Sequence, residues 1–247
     1  MTTPLLRVDE LTVSFSLGRW WRRDDSVFAL DKVSFELQPG EIFGVMGRNG
    51  CGKTTLLRVL AGATQATSGR VEELAPKPLS KALLSIGFGF DRYLTGRENA
   101  LLSAMLQGQS RGNAEAMLDS IKDFSELGRF FDQPVYRYSS GMRSKLGFAT
   151  AMTLDVDLLL IDETLSVGDV GFRDKAKRSM QEQMKKSRAV VFVSHQASQV
   201  RQICNQAIWL EQGTVRAAGS TGEVAEQYEA FMQDQKRGAP TASSSQE

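Results

Sequence analysis

From Leu5 to Phe15, and again from Val27 to Leu37, apolar and polar side chains alternate with β-branched residues among them, a period of two that predicts antiparallel strands. The pattern then changes. Ile42-Phe43-Gly44-Val45-Met46 is apolar throughout, as a strand buried on both faces would be, and Lys53 to Leu60 leaves the following glycine-rich turn as a helix. Gly69-Arg70-Val71 opens another short strand. From about Asp91 to Gly128 apolar residues recur at three- and four-residue spacing, in Glu98 to Gln107 and in Ala114 to Phe124, and a further helix is expected from Arg143 to Leu154. These stretches predict a helical subdomain over about 91–150, inserted into the rest. Strands return at Leu158 to Asp162, Ala189 to Ser194 and Ala207 to Glu211, with helical stretches between them. The fold class is therefore α/β, with a mostly parallel sheet, an N-terminal antiparallel β subdomain and the helical insertion. One domain is expected over residues 1–235. The segment from about Gln235, rich in Ser, Gly, Pro and Ala, predicts a disordered polar tail over 236–247.

Composition narrows the partners. The 247 residues are 41% hydrophobic and 24% charged, ordinary values for a globular chain, and 30 basic against 29 acidic residues leave a formal net charge of +1. The basic footprint of a nucleic-acid-binding protein is missing, so no nucleic acid is expected as partner. Two cysteines, Cys51 and Cys204 (the latter expected within a helix), fit a reducing compartment without a disulfide framework. The start Met-Thr-Thr-Pro has no signal-peptide pattern, and no apolar run reaches the ~20 residues that span a bilayer. Any membrane work would need another chain to do the spanning.

Candidate chemistry begins at Gly47-Arg48-Asn49-Gly50-Cys51-Gly52-Lys53-Thr54, a full G-x-x-x-x-G-K-[ST] phosphate loop in strand-loop-helix context, followed by Thr55. Its backbone N–H groups and the helix N-terminus suit phosphate oxygens, Lys53 adds a point charge, and the Thr54 hydroxyl suits Mg²⁺. ATP and Mg²⁺ are the cofactors this predicts. The strand Leu158 to Asp162 ends in paired carboxylates: Asp162 is placed to orient the metal, and Glu163, one residue further, to act as general base on the attacking water. His195, the single histidine, follows the next apolar strand and reads as a sensor of the γ-phosphate. Ser139, Ser140 and Gly141 introduce a helix with small residues and hydroxyls at its start, a second anion site that cannot easily serve its own phosphate loop.

In this order, phosphate loop, Tyr138-Ser139-Ser140-Gly141-Met142, the Asp162-Glu163 strand, the segment through Asp169 and the histidine resemble the ATP-binding subunit of an ABC transporter over roughly residues 5 to 235. The resemblance implies a homodimer, in which Ser139, Ser140 and Gly141 of one copy meet ATP held by the other and Asp169 lies at the dimer interface. It also implies a transmembrane permease as partner, and a place on the cytoplasmic face of the bacterial inner membrane through that permease. Met142 in the signature, Leu94-Thr95-Gly96-Arg97-Glu98-Asn99 and Val167-Gly168-Asp169 are similar to the exporters of capsule, O-antigen and teichoic-acid polymers. A glycan or glycolipid, lipid-linked for O-antigen or capsule, is then the expected substrate. Ser85 to Asp91 lacks the glutamine the family usually has there, so no metal ligand is assigned to it.

Phe15 matches the family's adenine-stacking aromatic by its place. The loop Arg19-Trp20-Trp21-Arg22-Arg23 suits either a membrane partner and glycolipid headgroup, or a ring on adenine, or plain solvent. A non-transporting ABC ATPase, an ABC subunit exporting another substrate, and a P-loop kinase are the competing classes. The last would leave the signature and the histidine without a task.

Overall fold

The structure is a computed structural model that describes residues 3–16, 26–84, 90–162 and 170–238. In chain order its elements are β1 (Leu6–Ser16), β2 (Ser26–Leu37), β3 (Ile42–Met46), α1 (Lys53–Leu60), β4 (Ser68–Glu73), β5 (Lys81–Leu84), α2 (Gly96–Leu106), α3 (Arg111–Ser125) and α4 (Ser140–Thr153). Then follow β6 (Leu158–Asp162), α5 (Val170–Lys186), β7 (Ala189–Ser194), α6 (Ala197–Ile203), β8 (Gln206–Glu211), β9 (Thr214–Ser220) and α7 (Thr221–Gly238). The alternating N-terminal segments pair as expected: β1 lies antiparallel between β2 and β4 in a three-stranded sheet.

The second sheet has the order β5-β6-β7-β3-β8-β9, parallel except for β9. Its apolar strands are divided between two cores by their period of two. Leu158 and Leu160, Val191 and Val193, Phe43 and Val45, and Ile208 and Leu210 face the antiparallel sheet, with Leu56, Leu57 and Leu60 of α1 between. Leu159 and Ile161, Val190 and Phe192, and Ala207 and Trp209 face a helical layer that includes Phe148 of α4, Phe172 of α5, Val200 of α6 and Tyr228 of α7. Both faces are covered, which is why these strands read as unbroken apolar runs. Gly44 in the middle of β3 is required by close approach: a Cβ there would meet Val200 Cγ1 at 2.4 Å, so α6 seats directly on the strand.

Helices α2, α3 and α4 enclose a third core around Ile121, Phe131 and Leu146. The entry to α2 is a capping box, in which Thr95 Oγ1 accepts from Glu98 N (3.1 Å) and Glu98 Oε2 accepts from Thr95 N (2.8 Å). Buried Asn99 adds bonds from Nδ2 to the carbonyls of Asp91 and Thr95 (both 2.9 Å). Leu94-Thr95-Gly96-Arg97-Glu98-Asn99 is thus a folding device.

Four expectations need adjustment. Helix α4 starts at Ser140 because Ser139 caps it, its Oγ accepting from Met142 N at 3.2 Å. Helix α7 continues to Gly238, so the first residues of the expected tail are helical, and 239–247 lie outside the described residues. Cys204 sits just past α6, as its C-cap. Strands β5 and β9 were not anticipated.

Candidate functional site

The phosphate loop lies between β3 and α1 at the carboxyl ends of the parallel strands, where α/β sheets bind ligands. Asn49, Gly50, Gly52, Lys53, Thr54 and Thr55 line a cleft of about 480 Å³ that is completed by Ala29, Asp162, His195 and Gln196. Gly52 has φ +109°, and a Cβ on it would meet the Ala29 carbonyl at 2.2 Å, so only glycine lets the loop pass under β2. Lys53 Nζ donates to the carbonyls of Gly47 (2.7 Å) and Arg48 (2.8 Å). The ammonium is thereby held inside the curl of the loop, with one of its three N–H groups left for an anion.

Thr54 Oγ1 donates to Asp162 Oδ2 at 3.0 Å, joining the first turn of α1 to the end of β6. A hydroxyl and a carboxylate at that distance are hard oxygen ligands of the kind Mg²⁺ takes when phosphate and water complete its shell. Among the described residues no group of three or more His, Cys, Asp or Glu side chains gathers into a metal site of its own. His195 reaches the cleft because β7 delivers it into a tight turn, closed by Gln196 N donating to Ser194 Oγ at 2.9 Å.

Three predicted loop residues do not line the cleft. Gly47 packs on β8, where a Cβ would meet the Leu210 carbonyl at 2.2 Å. Cys51 is buried beneath the loop, and burial pushes its thiol pKa up. The side chain of Arg48 turns to Glu211, donating from Nε (3.0 Å) and Nη2 to one carboxylate oxygen, which raises the guanidinium pKa further.

Phe15 pairs with Val27, and both, with Phe28, are about half exposed. The register shifts just beyond, leaving Ala29 without a partner in β1, and Ala29 lines the cleft. Ala29 was not foreseen; its signal, a bulge, is invisible without the pairing. Ser139 and Ser140 are exposed and neither these residues nor Gly141 line the cleft of their own chain. Glu163, Asp169 and Arg19, Trp20, Trp21, Arg22 and Arg23 lie outside the described residues.

A larger depression, about 610 Å³, lies elsewhere, between β5 and the helical unit, lined by Leu79, Leu83, Phe90 and Leu106. Its charged lining residues, Glu73 and Lys81, pair with each other at 2.7 Å.

A glycine-rich strand-loop-helix turn, a hydroxyl-carboxylate pair and a histidine at the next strand end, gathered in one cleft, define a P-loop nucleotide-binding protein. The chain belongs to the ABC transporter family, whose pattern matches residues 30–166. It is accordingly an ATPase cassette, with ATP and Mg²⁺ as cofactors. It is 40% identical over 226 residues to the teichoic acids export ATP-binding protein TagH of Enterococcus faecalis, which covers 92% of this chain and 49% of that protein. The TagH protein of Bacillus cereus is 39% identical over 215 residues, 86% of this chain and 38% of that one. The chain therefore spans half or less of the length of these relatives. Among solved structures, a dimeric ATP-binding cassette in a post-hydrolysis state with ADP and Pi superposes with a TM-score of 0.69 at 19% identity, over 87% of this chain and 98% of that one. An ATP-binding subunit of an ABC transporter gives 0.69 at 24% identity, over 95% of each chain. These two establish the fold. Among the described residues no helix is long and apolar enough to cross a membrane.

Proposed function

We propose that this chain hydrolyses ATP to power export of a cell-surface polysaccharide through a separate membrane permease, working as a homodimer on the cytoplasmic face of the bacterial cell membrane. The observation that carries the chemistry is one cleft holding Lys53, the Thr54–Asp162 pair and His195. The export assignment is supported by about 40% identity to two teichoic acids export proteins over most of this chain. A teichoic-acid-like polymer, rather than O-antigen or capsule, is the substrate these relatives favour.

In this reading the loop N–H groups and Lys53 hold the phosphates, and Thr54 and Asp162 hold Mg²⁺, which when bound neutralises charge developing on them. Glu163 takes the proton of the attacking water, and His195 donates to the γ-phosphate. Ser139, Ser140 and Gly141 reach the nucleotide of the partner copy, since they do not line their own cleft.

Two variants test the division of labour. Lys53→Ala removes the charge partner of the phosphates and should abolish tight nucleotide binding in calorimetry. Glu163→Gln keeps shape but removes the base, so turnover should fall about 10²-fold or more while ATP still binds. Parent-like affinity in the first, or parent-like turnover in the second, rules the reading out. Co-purification with the permease, followed by turnover assays with candidate glycolipids, tests the export half.

A further inference from the structure

The ion pair between Arg48 and Glu211 lies outside the cleft lining, yet it ties the phosphate loop to the end of β8, the strand paired with β3. Glu211 ends β8 and is 3% exposed; one oxygen takes both N–H donors of Arg48, and the other is buried with no hydrogen-bond partner among the described residues. Just after it, Gly213 N donates to the Cys51 carbonyl at 3.0 Å. The β8–β9 turn thus braces the loop at two points, one through a backbone bond and one through a buried charge.

Helix α7 closes over the same place. Phe231 lies 5.7 Å beneath the Arg48 guanidinium, while Tyr228, one turn earlier on the same face, donates its hydroxyl to the His195 carbonyl at 3.3 Å. Both rings rest on Trp209 of β8, with centroids 4.9 and 5.8 Å away. One helix face therefore touches the two loops that flank the cleft, the phosphate loop through Arg48 and the histidine turn through its backbone.

We infer that α7 is a positioning element of the nucleotide site: with Glu211 it sets the phosphate loop through Phe231 and Arg48, and it sets His195 through Tyr228. The inference rests on the cleft being the ATP site. Its physical basis is that a buried carboxylate deprived of its cation must reach water or take a proton, and either change moves the turn that carries the Cys51 brace. Loop N–H groups aimed at phosphate lose affinity on displacements smaller than a bond length. A shift of the His195 backbone acts later, on turnover.

The experiment is steady-state ATPase kinetics, with nucleotide titration and melting temperature, on the full chain carrying Glu211→Gln, Arg48→Met, both together, or Tyr228→Phe. Glu211→Gln and Arg48→Met should each raise KM for ATP by about fivefold or more with kcat within about twofold, and the double variant should be no worse than the poorer single, as for two groups acting through one contact. Arg48→Lys, which keeps a cation on Glu211, should recover most of the affinity. Tyr228→Phe should lower kcat several-fold with KM little changed. If Arg48 instead touched ATP directly, Glu211→Gln would leave KM at the parent value, and that result overturns the inference. So does an additive double variant, or a Tyr228→Phe chain altered in melting temperature alone. Lys53→Ala, run beside them, separates the two failures: parent-like ATP binding there sinks the site itself, whereas loss there with parent-like Glu211→Gln sinks only the role of α7.

Discussion

At the scale of single residues the site separates groups whose type alone announces them from groups whose partner decides. Lys53, Thr54, Asp162 and His195 announced themselves by spacing, and the structure gathers all four in one cleft. Arg48 did not. Its position in the loop suggested phosphate, but the alignment of Glu211 beside it is set by β8 pairing with β3, a contact across 163 residues that no local pattern encodes. Asp162 permits a direct test. Asp162→Asn keeps a group able to bond Thr54 Oγ1 while removing the charge next to the proposed metal. The Mg²⁺ concentration for half-maximal turnover should rise about tenfold or more, in line with the ~1.5–3 kcal/mol of a charge-assisted contact. Unchanged Mg²⁺ dependence would remove Asp162 from the metal site.

Elements were legible in proportion to the strength of their period. The runs of β3, β6 and β7 are apolar at nearly every position, since both faces are buried, and their bounds in the sequence and in the structure agree. Strand β5 has only four residues, with Pro76 and Pro78 shortly before it, and acquires its identity from pairing with β6. Helix α7 did carry a signal: Val224, Ala225, Tyr228, Phe231 and Met232 recur at helical spacing and all join the core, and only the polar residues 236–238 after them, which continue the helix, read as tail. The helical insertion offers a test at this scale. Tyr138, at the approach to α4, is buried and donates to the Phe130 carbonyl at 2.6 Å. Its ring leaves so little room that a Cβ on Gly96 would meet the hydroxyl at 2.1 Å. Burial pushes the Tyr138 pKa from 10.0 up to about 12. A group whose folded pKa is raised stabilises below its unfolded value and loses that contribution as pH climbs through the folded one. Tyr138→Phe should therefore cost about 1 kcal/mol in urea unfolding at neutral pH. The gap to the parent should close and then reverse as pH rises from about 10 to 12, because the parent alone loses stability there. A gap that persists unchanged above that range would contradict the buried-phenol account.

At the scale of the whole molecule the layout leaves the serine-glycine start of α4 outside the cleft. Ser139 caps α4 and lies exposed with Ser140, outside the cleft of its own chain. The N-terminal end of a fourteen-residue helix, carrying hydroxyls and a glycine, suits an anion by its dipole but does not line the cleft of its own chain. A second copy related by a two-fold axis would bring each such end over the other copy's cleft, and each composite site would then draw on both chains. The arrangement is distinguishable by where lesions fall. Join one chain carrying Ser139→Arg to one carrying Lys53→Ala in a covalently linked heterodimer. If the signature acts in trans, both lesions fall in the composite site built from the Lys53→Ala loop and the Ser139→Arg signature, and the other site is whole. If it acts in cis, each site carries one lesion. Turnover of the linked pair near half that of a linked parent pair is the expected outcome. Turnover as low as that of either variant linked to itself would show that each chain completes its own site, and would remove the reason for two copies to close on ATP.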